Sequence, residues 1–268
     1  MRVCTPDAMR DFYASRPQPL DQADGLRRLF AASRMQFVPV LSNPHLAFGG
    51  VMLERLCSAL AEFGQHVLLV DAGERAPAPH ELAALELGAC VEPLSNELSY
   101  LAARELPLRY VDTQGSTAGF LTAVADAAPQ ADVVLVHATA PDLARLFMRR
   151  PERALLLAAD HPGSVTHAYA GMKLMAARSG LKAFDLLLGA AAHSPRTERI
   201  AEQMARCAEG FLGAVLHDWA DIDPASAVHE PTGWRLQRLV QRLLHRPPAA
   251  QPQAYRTHNE PAAMRAAY

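Results

Sequence analysis

Short apolar runs alternate with amphipathic stretches through most of the chain, and this alternation fixes the expected elements before any chemistry is considered. Runs rich in Val, Leu and Ala, bounded by turn residues, predict seven strands at 36–41, 67–71, 108–111, 132–137, 154–159, 184–189 and 213–217. Between them, apolar residues recur at helical spacing over 50–63, 81–87, 117–127, 141–149, 165–178 and 195–208, and Ser164 and Pro195 open two of these stretches. The strands are continuously apolar rather than alternating. That is the signature of strands covered on both faces, so the expected fold is α/β, a doubly wound, mainly parallel sheet of about seven strands with helices on both faces. Ligands in such folds sit beyond the carboxyl ends of the strands, which directs attention to the residues after Leu41, Asp71 and His137. Pro39 interrupts the first strand with a residue that cannot donate to a ladder, and the pattern alone offers no reason for it.

The flanks read differently. Residues 1–20 are rich in Pro and mixed charge and predict a flexible arm, a helix is expected over 21–33, the α/β domain over 34–245, and a disordered Pro- and Ala-rich tail over 246–268. At 268 residues one domain with tails suffices. A formal charge of −2 argues against a general nucleic-acid binder, and no uncharged apolar run approaches the roughly 18–20 residues of a membrane span, so a cytoplasmic protein is expected. The four cysteines form no C-x-x-C pair, and no disulfide framework or zinc site is expected.

Particular segments carry a resemblance. Asp21-Gln22-Ala23, followed by Leu26-Arg27, precedes a strand, a loop and a helix, and then Gln65-His66-Val67-Leu68-Leu69-Val70-Asp71. With the stretch 160–174, beginning Asp160-His161-Pro162-Gly163-Ser164, and Cys207-Ala208-Glu209-Gly210-Phe211-Leu212-Gly213, the chain from about 20 to 245 resembles the FlhG (FleN) family of flagellar-number regulators. That family belongs to the MinD/ParA class of deviant Walker ATPases. The resemblance implies a P-loop NTPase-like fold and a helix carrying Asp21, Gln22, Ala23, Leu26 and Arg27 that binds the SRP-type GTPase FlhF and stimulates it. Flagellar basal-body components are further expected partners.

The phosphate loop departs from the family pattern. Counting back from Asp71, the family's Lys-Gly-Gly-Val-Gly-Lys-Thr run falls on Pro44-His45-Leu46-Ala47-Phe48-Gly49-Gly50, so Pro44 and Gly49 replace both lysines and Gly50 replaces the hydroxyl that holds Mg²⁺. By the same count the switch aspartate becomes His80, the aspartate after the 133–136 run becomes His137, and the adenine-contacting asparagine becomes Gly189. The whole sequence has two lysines, Lys173 and Lys182, and no intact phosphate loop elsewhere. The expectation is a degenerate nucleotide site at Pro44, Gly49, Gly50, Asp71, His80 and His137 with no catalytic residues, no metal and no cofactor, and a monomer. The alternative is a divergent ATPase that binds ATP and Mg²⁺ and cycles between cytosol and membrane. A scaffold for a secretion or cellulose apparatus is a third reading, against which the Asp-Gln-Ala helix speaks.

Three smaller features complete the candidates. His45, His80 and His137 all map to the mouth of the former site with Asp71 near them, which admits a metal site, a general base or drift in a decayed pocket. Asp112-Thr113-Gln114-Gly115-Ser116 lacks a nucleophile elbow and reads as a turn and helix cap. Trp234–Leu244 gathers Leu236, Leu239, Val240, Leu243 and Leu244 on one side and Arg235, Arg238 and Arg242 largely on the other. Such a basic amphipathic helix is either packed on the sheet or in contact with the inner membrane, the latter placing the protein at the membrane or a cell pole.

Overall fold

The computed structural model describes residues 35–245 apart from 151, 193, 228 and 229. The expected arm, the helix over 21–33 with Asp21, Gln22, Ala23, Leu26 and Arg27, and the tail lie outside the described residues.

In chain order the elements are β1 (Gln36–Leu41), α1 (Gly49–Glu62), β2 (Val67–Ala72), β3 (Glu92–Pro93), β4 (Leu98–Ala102), α2 (Gly119–Ala127), β5 (Val133–Ala138), α3 (Ala140–Leu146), β6 (Arg153–Ala159), α4 (Pro162–Arg178), β7 (Ala183–Gly189), α5 (Arg196–Cys207), β8 (Val215–Ile222) and α6 (Trp234–Leu244). The strands form one sheet in the order β3-β4-β2-β5-β1-β6-β7-β8, parallel throughout except for the β3–β4 pair. Successive strand residues point to opposite faces, and each face has its own helical cover. Val38, Val40, Leu155 and Leu157 pack with Met52 and Leu56 of α1 and Leu236, Leu239 and Val240 of α6. Leu41, Val134, Val136 and Leu156 pack with Phe120, Leu143 and Met172 of α2, α3 and α4 on the other. Double coverage is the physical reason the central strands show no polar alternation.

Two sequence expectations are corrected. The run 108–111 is not a strand: Leu106–Tyr110 is a short 3-10 helix entered through Glu105 at φ +62°, and Leu108 and Val111 stay exposed. Pro107 suits that turn and would remove a donor from a ladder. The strand of that region is β4, eight residues earlier by its start than the helix, and its half-exposed Ser99 and Tyr100 hid it. Likewise 81–87 is no full helix but a single 3-10 turn, Glu81–Ala84, after which Leu85 points to solvent. The eighth strand is the two-residue edge β3.

Pro39 now has a setting. β1 pairs with β5 along its whole length but with β6 only at Val40 and Leu41, so Pro39 precedes the start of the second ladder. The centre of the sheet tolerates it because one side of β1 is unpaired at that height.

Candidate functional site

A cavity of about 510 Å³ opens beyond the carboxyl ends of β1, β2, β5 and β6, lined among others by Ser42, Asn43, Gly49, Asp71, His137 and Thr139. It stands where an open α/β sheet places its ligand, at the point where the strand order reverses around β1. Pro44, Gly49 and Gly50 all line it.

Its floor is organised by two hydrogen-bonded groups. At the ends of β2 and β5, which lie in register at Asp71 and His137, the Asp71 carboxylate meets His137 Nδ1 at 2.8 Å, accepts from the Gly73 N–H at 3.1 Å and accepts from the Tyr100 hydroxyl at 3.4 Å. Burial works against ionisation of Asp71, but the His137 hydrogen bond and charge, with the other two donors, outweigh it and hold the carboxyl below its usual range. For Tyr100, burial and then the Asp71 charge push the hydroxyl up to about 12. An ionised carboxylate fixes the His137 proton on Nδ1.

The second group closes the β1–α1 loop. The side-chain amide of buried Asn43 donates to the Leu157 carbonyl at 2.9 Å, the Ser164 carbonyl at 3.0 Å and Ser164 Oγ at 2.9 Å, while its oxygen accepts from the His45 N–H at 3.1 Å. Ser164 Oγ in turn accepts from the Ala159 N–H at 2.9 Å. His161 caps α4, its Nδ1 accepting from the Ser164 N–H at 3.4 Å, and this leaves Nε2 to donate to the His45 carbonyl at 3.1 Å. The loop is therefore held to β6 and α4 by protein groups. Gly171 of α4 lets that helix approach closely, since a Cβ there would lie 2.5 Å from Leu41 Cδ2.

The expected trio of histidines does not assemble. Of the three, only His137 lines the cavity, where His167 joins it from α4. His80 is exposed and spends its Nδ1 on the Leu82 N–H, capping the 3-10 turn, because the segment after β2 turns outward there. His45 turns its ring toward His161 and His167, with centroids 6.4 and 5.7 Å away. Among the described residues no group of three or more His, Cys, Asp or Glu is placed to hold a metal. Sequence reasoning missed Asn43, Tyr100, Ser164 and His167. The position of Asn43 just past a buried strand was the available signal.

The residues present do not fit ATP and Mg²⁺. No lysine lines the cavity, and α1 begins with Gly49-Gly50 where a hydroxyl would reach the metal. Position 189 has no space for a base-contacting side chain, because a Cβ there would lie 2.8 Å from Met52 Sδ.

Helix α6 corrects the membrane-contact reading of its apolar residues. Leu236, Leu239, Val240 and Leu243 are buried against β-strands and α1, and Leu244 packs at the margin. Arg238 and Arg242 both pair with buried Asp218 of β8, and Arg235 pairs with Asp221 and stacks on Trp219. The arginines cover acids of the adjacent strand, so the amphipathic pattern belongs to a packed helix. No helix among the described residues is long and apolar enough to cross a membrane.

Known proteins match this arrangement. A chain of the MinC:MinD cell division protein complex of Aquifex aeolicus superposes with a TM-score of 0.53 at 12% identity, covering 79% of this chain and 96% of that one. Cobyrinic acid a,c-diamide synthase from Mycobacterium smegmatis, solved with bound ADP and magnesium, gives 0.55 at 15% identity over 78% and 94%. In sequence, 102 residues are 32% identical to the antiactivator FleN of Pseudomonas aeruginosa, 37% of this chain and 36% of that one. The chain has the fold of MinD, and part of it is similar to FleN. The matched segment spans about a third of FleN's length. No family pattern matches the chain.

Proposed function

We propose that this FleN-like chain is a non-catalytic regulator of flagellar number or placement that acts in the cytoplasm by binding an FlhF-type GTPase and stimulating it through the helix bearing Asp21, Gln22, Ala23, Leu26 and Arg27. The observation that carries the non-catalytic part is the β1–α1 loop, where Pro44, Gly49 and Gly50 supply neither cation nor hydroxyl and Asn43 ties the backbone to Leu157 and Ser164. A phosphate-cradling loop turns its donors toward the ligand, and here the loop's side-chain donor is spent internally. The similarity to FleN supports the flagellar setting, and the Asp-Gln-Ala helix supports FlhF as partner, with basal-body components as further ones.

Two experiments test the reading. Calorimetric titration with ATP and Mg²⁺ is expected to show no binding up to millimolar concentration; a dissociation constant below about 100 μM, roughly 5–6 kcal/mol, overturns it in favour of a divergent ATPase. A peptide spanning residues 1–35 is expected to accelerate GTP hydrolysis by FlhF from the same organism, and Gln22→Ala with Leu26→Ala to abolish the effect. An inert parent peptide removes the activator assignment.

A further inference from the structure

On the side of the sheet away from α1 and α6, helices α4 and α5 run beside each other and leave a groove of about 720 Å³ between them. Its floor is apolar: Val165 and Tyr169 stand one turn apart on α4, and Ile200 and Met204 one turn apart on α5. Its rim is basic. Arg196 and Arg199, three residues apart and so on one side of α5, are exposed and have no carboxylate partner among the described residues. Among the described residues the lining holds one acid, Asp160, which accepts from Ser194 Oγ at 3.1 Å. The Tyr169 hydroxyl likewise has no hydrogen-bond partner among the described residues. By contrast the arginines of α6 are all engaged with Asp218 or Asp221.

We infer that this groove is a docking site for an acidic amphipathic helix of a partner protein. Two apolar rows at one-turn spacing on neighbouring helices receive the apolar stripe of a third helix, which completes the layer on this face. The guanidinium groups of Arg196 and Arg199 along one bank select carboxylates on that helix's flank, a group that guanidinium binds by forked hydrogen-bonded pairs. A protein helix fits better than a lipid surface because the apolar residues form a recessed floor behind the arginines, whereas a membrane-binding face presents its apolar residues outermost. The groove is distinct from the cavity at β1, although His161 touches both the groove and the β1–α1 loop.

The test uses the full chain and two synthetic helices of about 17 residues, matching α4 in length, each with Leu at helical spacing and with Glu or Lys at all other positions. Fluorescence anisotropy is expected to show saturable binding of the Glu helix, weakened about tenfold or more by Arg196→Glu with Arg199→Glu, and little binding of the Lys helix. The doubly reversed variant is expected to bind the Lys helix better than the parent does. That gain cannot come from misfolding. Unchanged binding of the Glu helix by the reversed variant, equal binding of both helices by the parent, or co-sedimentation of the parent with phosphatidylglycerol vesicles through these arginines without saturable peptide binding each overturns the inference.

Discussion

Asp185 shows how much one side chain can set. It lies on β7 with no exposed surface, opposite Asp218 in register with β8, and Arg153 reaches it only at 3.5 Å. Burial first, opposed by Arg153 and reinforced by the Asp218 charge, pushes its carboxyl up to about 6. The folded state therefore holds the proton more tightly than the unfolded chain, so this group's contribution to stability is complete below the ordinary carboxylate value of about 3.8 and is lost as pH rises through about 6. Asp185→Asn removes that loss. It is expected to stabilise the protein by about 2–3 kcal/mol at pH 8 and by less at pH 5, as read from urea midpoints at the two values. The residue scale is also where sequence reading fell short at the site. Pro44, Gly49, Gly50 and His137, the positions counted from Asp71, line the cavity because they follow strand ends whose register is fixed. The count failed at His80, which hangs on an irregular segment whose path no period encodes.

At the scale of elements, what sequence revealed follows burial. The central strands and α6 were legible to within a residue or two, since double coverage leaves a continuous apolar run and a packed helix leaves a 3.6-residue stripe. β4 was not, because a strand next to a two-residue edge keeps half-exposed polar side chains and so resembles a loop. The amphipathic pattern of α6 was read correctly as a pattern, but a stripe does not say what covers it. The structure answers with Met52 and Leu56 of α1 and the strand residues beneath. Leu239→Ala is accordingly expected to cost about 2–4 kcal/mol in a denaturation experiment, a cavity effect. Arg242→Ala, more exposed and sharing Asp218 with Arg238, is expected to cost under about 1 kcal/mol. A helix whose leucines faced a membrane would show the reverse order, with Leu239→Ala neutral to folding.

For the molecule as a whole, the sealed loop predicts that ATP drives no assembly. Light scattering is expected to give the mass of one chain with and without ATP and Mg²⁺, since Pro44, Gly49 and Gly50 offer a nucleotide phosphate no cation. The sheet itself sets a separate limit on self-association. One end is β3, two residues with Pro93 and paired antiparallel; the other is β8, eight residues paired on one side only among the described residues. A proline-blunted stub gives almost no backbone template, so strand addition can proceed from β8 alone. Growth of a fibre requires two unlike sticky ends, and a body with one joins a second copy head to head and then stops. Under mild destabilisation, any strand-mediated species should therefore be a closed pair, in which both available edges have been consumed and nothing remains to recruit a third chain.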